Sequence, residues 1–250
     1  MNIKCIGAAV LSAVSLLTGC SGTKEPTIHI AGVPAADTSG AANTSQVSTD
    51  DDGSSVKDTP AQTAEKSRIV LVGDSRTMHI GNYLYELPMI DNKYVDGETP
   101  DGDYIMGLGG EGYGWLSKNT SEVEKRLTDG CILVVNMGVN GAPYYHKEIA
   151  EWCNNMAVKN KDRSIRVYFM SVNPVNDRLL EEYNYSIRNA DVIAFNSAVR
   201  TELTDAAYID TYSVVEDDIL GNGKGTPDGL HYYEYVYRKI RDYTWEVIYE

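Results

Sequence analysis

The segment Ile69-Val70-Leu71-Val72-Gly73-Asp74-Ser75 runs from four consecutive apolar residues into a glycine, an acid and a hydroxyl. Such a run, rich in β-branched side chains and bounded by glycine, reads as a strand buried on both faces. Arg76 to Leu87 then reads as a helix, closed by Pro88. A serine where a strand ends and a helix begins is a favoured helix cap. It is also a common place to expose a nucleophile.

The same alternation continues outward along the chain. Tyr104–Met106 reads as a short strand leading into Gly107-Leu108-Gly109-Gly110-Glu111-Gly112. Further strands are expected at Cys131–Asn136, Ile165–Met170 and Ala207–Asp210. Helices are expected at Trp115–Leu127, Lys147–Val158, Ile187–Leu203 and Glu234–Ile248. Short apolar strands alternating with helices imply a parallel sheet of five strands with helices on both faces. Sites in such sheets lie at the carboxyl ends of the strands. Ser75, Gly110, Asn140 and Asn173 all follow expected strands and should gather on that edge. Asn173-Pro174 is expected to shape the substrate pocket there.

Near the C-terminus stands Asp228-Gly229-Leu230-His231. A histidine three residues after an aspartate can serve as the base that activates a serine, with the carboxylate orienting the ring. Ser75, His231 and Asp228 together therefore point to a serine hydrolase. His79 is a rival base by proximity, but one turn along the helix it is expected to point away from the strand edge. Asp74 is expected to bond loop backbone. Arg76 is read as a local ion-pair partner, with an anionic substrate as the alternative.

Four blocks line up in order: Gly73-Asp74-Ser75, Gly110, Gly138-Val139-Asn140 and Asp228-Gly229-Leu230-His231. Over roughly residues 68 to 248 the chain resembles the SGNH (GDSL-type) hydrolases. That resemblance implies a flavodoxin-like three-layer α/β/α sandwich and removal or transfer of an acyl group at an ester. It implies Ser75 as nucleophile, His231 as base and Asp228 as its orienting carboxylate. It further implies an oxyanion hole from the Ser75 and Gly110 backbone N–H groups and the Asn140 side-chain amide. The neighbouring Gly107, Gly109 and Gly112 compete with Gly110 for that role. The usual Asn-Asp pair of the third block is Asn140-Gly141 here, so an aspartate that commonly braces the loop is missing.

The N-terminus has a different character. Lys4 precedes an apolar segment, Ile6 to Leu17, too short to span a bilayer and suited to a secretory signal. Leu17-Thr18-Gly19-Cys20 resembles the bacterial lipobox, which implies cleavage before Cys20 and lipidation of its sulfur. Residues 1–19 are thus expected to be a lipoprotein signal peptide and residues 20–66 a disordered tether, rich in small and polar residues. Residues 67–250 are expected to form the hydrolase-like domain. The expected location is the outer face of a bacterial membrane, reached through the lipid alone.

Composition narrows the chemistry. A formal net charge of -14 with no Lys/Arg-rich run argues against nucleic-acid partners. The four histidines are scattered without zinc-ligand spacing, and the glycine-rich loop lacks a Gly-Lys-Ser/Thr ending, so no metal or nucleotide cofactor is expected. Cys131 and Cys153 are read as buried free thiols, a disulfide being the alternative in an exported chain. The chain has 18 tyrosines against 2 phenylalanines. Tyr144, Tyr145, Tyr183, Tyr185, Tyr232 and Tyr233 fall near the expected functional edge, where amphipathic rings could stack on a sugar.

These readings converge on an esterase removing small, acetyl-like groups from an acylated glycan or cell-wall polymer. The same residues suit an O-acyltransferase. A non-catalytic glycan-binding module on a hydrolase fold is the alternative from a different class. A lipase would need an apolar entrance, and no long apolar loop is evident.

Overall fold

The computed structural model describes residues 66–250, except residue 222. The signal segment, Cys20 and the tether lie outside the described residues. No helix among the described residues is long and apolar enough to cross a membrane.

The chain order is β1 (Ile69–Gly73), α1 (Ser75–Tyr85), β2 (Tyr94–Glu98), β3 (Tyr104–Leu108), α2 (Tyr113–Lys118), α3 (Thr120–Arg126), β4 (Ile132–Asn136) and α4 (His146–Lys159). There follow β5 (Arg166–Met170), α5 (Asp177–Glu182), α6 (Asn189–Glu202), β6 (Ala207–Ile209), α7 (Tyr212–Glu216) and α8 (Glu234–Tyr249). The strands form one sheet in the order β2-β3-β1-β4-β5-β6. All neighbours pair in parallel except β2 with β3, which pair antiparallel.

The expected five strands are present, and the strand count is corrected to six by β2. Its sequence, Tyr-Val-Asp-Gly-Glu, carries two acids and a glycine, and only Val95 is buried. An edge strand needs one apolar contact and otherwise meets solvent, so it lacks the apolar signature of the interior strands. The helix expected over 115–127 is two helices, α2 and α3, broken at Asn119. There Asn119 Nδ2 donates to the Trp115 carbonyl and Thr120 Oγ1 to the Ser117 carbonyl. Side chains that bond local carbonyls compete with the helical ladder in this way.

Successive residues of a strand face opposite sides. In β1, Val70 and Val72 enter the core beneath α2, α3, α4 and α6, while Ile69 and Leu71 enter the core beneath α1 and α8. β4 divides likewise, Leu133 and Val135 from Ile132 and Val134. Both faces of the central strands are therefore covered, and the result is the flavodoxin-like three-layer α/β/α sandwich. Cys131 and Cys153 are free and buried in the first of these cores. Burial pushes both thiols up.

Candidate active site

Ser75 is the first residue of α1, directly after the end of β1, and is only 6% exposed. Asp74 caps the helix, its Oδ1 accepting the Arg76 N–H at 3.0 Å. It also accepts a backbone N–H from Gly138, in the loop after β4. Burial raises the Asp74 carboxyl, and Arg76 and the two backbone bonds pull it back in part. Asp74 thus bonds loop backbone as expected, and it ties the end of β1 to the loop after β4. That segment closes further on itself, with Gly141 and Ala142 N–H groups donating to the Gly138 carbonyl. A Cβ at Gly138 would lie 2.6 Å from the Phe195 ring, and φ there is +146°.

The Asp228–His231 turn precedes α8 and is held from several sides. Asp228 Oδ1 accepts the Leu230 and His231 N–H groups at 2.8 and 2.7 Å. The Thr226 hydroxyl donates to the His231 carbonyl and accepts the Gly229 N–H. The Gly229 carbonyl accepts the Asn176 N–H. Asp228 Oδ2 lies 2.7 Å from His231 Nδ1, and His231 Nε2 lies 3.0 Å from Ser75 Oγ. Partial burial pushes the Asp228 carboxyl up, but the hydrogen bonds from the His231 ring and the two backbone N–H groups outweigh it and hold it at about 2. The three residues read from the sequence therefore form one hydrogen-bonded line. An ionised carboxylate on Nδ1 leaves Nε2 as the acceptor facing the serine hydroxyl.

Arg76 is where the sequence reading changes most. It is buried, 1% exposed, and its guanidinium meets carbonyls rather than a carboxylate. Nε and Nη2 donate to the Leu230 carbonyl at 3.1 and 3.0 Å, and Nη1 donates to the Asn173 carbonyl at 2.9 Å. Its plane packs on the Tyr232 ring, 4.8 Å from the centroid. Tyr232 is itself buried and donates from its hydroxyl to the Pro174 carbonyl at 2.6 Å. Asn173 and Pro174 therefore anchor the histidine turn and are fully interior, instead of shaping a pocket. Tyr232 likewise leaves the set of candidate sugar-facing rings.

His79 does not point away from the edge. Residues i and i+4 share one helix face, and helical side chains lean toward the N-terminus, so His79 leans back toward the site from below Ser75. Its ring centroid lies 5.1 Å from that of His231, edge to face.

On the other side of Ser75 the loops after β3 and β4 meet. Asn140 Nδ2 donates to the Glu111 carbonyl at 2.7 Å, leaving its second N–H available. Gly107 lies within the β3 ladder, and the Gly109 N–H donates to the Lys93 carbonyl. Gly110 stands at φ +77°, a backbone that favours glycine, with open space around it. Among the described residues its N–H has no protein acceptor. Tyr113 and Tyr145 lie beside these loops with rings offset and nearly parallel, centroids 6.0 Å apart and planes 24° apart. Tyr144 and Tyr145 are 71% and 50% exposed. A cavity of about 550 Å³ lined by Asn176, Asp177, Asn189 and Gly223 opens next to the histidine turn. A larger one, about 910 Å³, lies at the far end of β5 among Arg166, Tyr168 and Ala207, away from these groups.

No protein-family model matches the chain, and no curated protein does. Solved structures do match. A Streptococcus pneumonia protein provisionally assigned as a platelet activating factor superposes with a TM-score of 0.57 at 16% identity, over 76% of this chain and 87% of that one. A provisionally assigned acylhydrolase from Bacteroides fragilis gives 0.53 at 19% identity, over 74% and 88%. An acetylxylan esterase from Geobacillus stearothermophilus gives 0.50 at 11% identity, over 73% and 94%. The chain shares their fold. It is the flavodoxin-like sandwich that the resemblance to SGNH hydrolases implies.

Proposed function

We propose that this protein is a serine esterase that removes small acyl groups, acetyl foremost, from a carbohydrate or cell-wall polymer. The observation that carries the reading is the line from Ser75 Oγ through His231 to Asp228, at 3.0 and 2.7 Å. In this reading Ser75 Oγ attacks the ester carbonyl and passes its proton to His231 Nε2. The tetrahedral oxyanion lies against the Ser75 and Gly110 N–H groups and the second amide N–H of Asn140. The intermediate collapses with cleavage of the bond to the leaving alcohol, which takes the proton from His231. Water then attacks the acyl-serine, His231 removing its proton, and the acid leaves with Ser75 restored.

Three features support this assignment beyond the line itself. The Ser75 N–H belongs to the first turn of α1, where backbone donors lack intrahelical partners and the helix dipole favours developing negative charge. Among the described residues the Gly110 N–H is without a protein acceptor while that of Gly109 is engaged. The fold is shared with an acetylxylan esterase and an acylhydrolase. The carbohydrate substrate class is supported by the Tyr113–Tyr145 pair, the first ring half-buried and the second exposed, beside the loop that carries Asn140. Export and attachment through a lipid on Cys20 are supported by the Leu17–Cys20 pattern. They would place the enzyme at the outer face of the membrane, facing wall polymers.

The test is hydrolysis of p-nitrophenyl esters of increasing chain length, beside Ser75→Ala. The expected result is turnover that is fastest for the acetate and lost in the variant. Preference for long chains would overturn the small-acyl assignment, and turnover undiminished in Ser75→Ala would overturn the serine mechanism.

A further inference from the structure

Two hydrogen bonds, at Nδ1 and at Nε2, hold the His231 imidazole along one axis. They leave the ring plane free to tilt about that axis, and tilting swings the in-plane lone pair of Nε2 away from the Ser75 hydroxyl. A third contact is needed to stop it, and His79 supplies one. Its ring meets that of His231 edge to face, with centroids 5.1 Å apart and planes at 78°. His79 is in turn held against two tyrosines. It stacks on Tyr83 at 4.9 Å and 19°, and lies 5.8 Å from the ring of Tyr237 on α8. Tyr237 is buried, and its hydroxyl accepts the Tyr232 N–H. The backing therefore runs from the α1–α8 interface up to the histidine turn.

We infer that His79 is a positioning residue for the proposed base, acting through its ring and not through a charge or a proton. The inference rests on the reading of His231 as that base. The groups facing His79 are Asp228 and His231 from the turn, Tyr83 from its own helix and Tyr237 from α8. Burial, and then the nearby His231, push the His79 imidazole down to about 4, so it stays neutral wherever a histidine base can work. Its Nδ1 is buried without a hydrogen-bond partner among the described residues. A proton relay would connect that nitrogen to something, whereas a packing ring has no use for it. Replacing it by the somewhat larger phenyl ring, which has no nitrogens, removes an unsatisfied polar atom and keeps an edge-to-face ring contact.

The experiment compares His79→Ala and His79→Phe with the unaltered protein. p-Nitrophenyl acetate turnover is followed against pH, and the His231 ring protons are observed by NMR. His79→Ala should lose about 10-fold in kcat with KM unchanged, because a misaimed base slows chemistry without weakening substrate binding. His79→Phe should recover most of that loss with the acid limb of the pH profile in place. In the spectra the His231 ring signals should broaden in His79→Ala and stay sharp in His79→Phe. Equal losses in both variants would show that a His79 nitrogen is used and overturn the inference. Unchanged kcat and unchanged His231 signals in His79→Ala would overturn it as well. The NMR arm reads the ring directly, so a failure of the esterase assignment itself would appear as absent turnover with the spectral contrast intact.

Discussion

The Leu230 carbonyl accepts two hydrogen bonds from the Arg76 guanidinium, at 3.1 Å from Nε and 3.0 Å from Nη2. Arg76 follows Ser75 and Leu230 precedes His231, so one buried side chain ties together two segments 154 residues apart. It thereby holds the segment that carries His231 against the one that carries Ser75, where His231 Nε2 lies 3.0 Å from Ser75 Oγ.

Arg76→Lys keeps the charge but cannot reproduce the fork that meets both Leu230 and Asn173. It should lower kcat about 10²-fold, since displacement of about 1 Å costs that much. The unmet carbonyls should cost about 1–3 kcal/mol of stability. Urea midpoints and p-nitrophenyl acetate kinetics on the same preparation check both. Full activity in Arg76→Lys would dissolve the proposed link.

Asp228→Asn should leave the fold intact and lower kcat by about 10²–10⁴, as expected when a base loses the carboxylate that fixes its tautomer. The Asp228 carboxyl is held at about 2, below the 3.8 of the free side chain. A depressed carboxyl stabilises the folded state above the unfolded value and loses that contribution as pH falls through the folded one. Acid unfolding of the unaltered protein should therefore carry a component between about pH 4 and 2 that is absent in Asp228→Asn.

His79 acts in the same direction, in a higher pH window. Its imidazole titrates near 4 in the fold against 6.5 when free, so the unfolded chain binds more protons between those values. Stability should rise as pH climbs from 4 to 6.5 and then level off, by no more than about 3 kcal/mol from this group. Thermal melts of His79→Phe across that range should be flatter by the corresponding amount.

Much of this arrangement was legible in the sequence. The apolar runs of β1 and β4, and Gly-Asp-Ser with Asp-Gly-Leu-His, carry their own local signals: continuous burial, and polar residues at a strand end. The sheet edge and the supporting contacts carry none. β2 offers a single fully buried residue among acids and a glycine, which no period distinguishes from a loop. Arg76 bonds carbonyls, and any residue has a carbonyl, so no sequence pattern marks the partner. His79 was open to correct reading, because the i to i+4 relation with Ser75 places both on one helix face.

Tyr113 and Tyr145 should matter for sugars and not for small aryl esters. Tyr145→Ala is expected to lower kcat/KM on an acetylated xylo-oligosaccharide about 5- to 10-fold, in line with an aromatic contact of about 1–1.5 kcal/mol. Its p-nitrophenyl acetate turnover should stay within about 2-fold. Equal effects on both substrates would remove the sugar contact from the account.

Gly110→Ala separates backbone strain from crowding, since φ is +77° and the space around it is open. It should cost about 1–2 kcal/mol of stability from the left-handed conformation alone. A kcat loss approaching 10²-fold should accompany it if the Gly110 N–H serves the oxyanion. A stability loss without a kcat loss would move that role to another donor.

Covalent capture distinguishes a Ser75 nucleophile activated by His231 from an inert serine. The full chain is treated with a p-nitrophenyl phosphonate and the modified peptide is located by mass spectrometry. One adduct is expected, on Ser75, absent in Ser75→Ala and formed at least about 10²-fold more slowly in His231→Ala. No adduct, or an adduct on Ser75 that forms equally fast without His231, would contradict activation of Ser75 by His231.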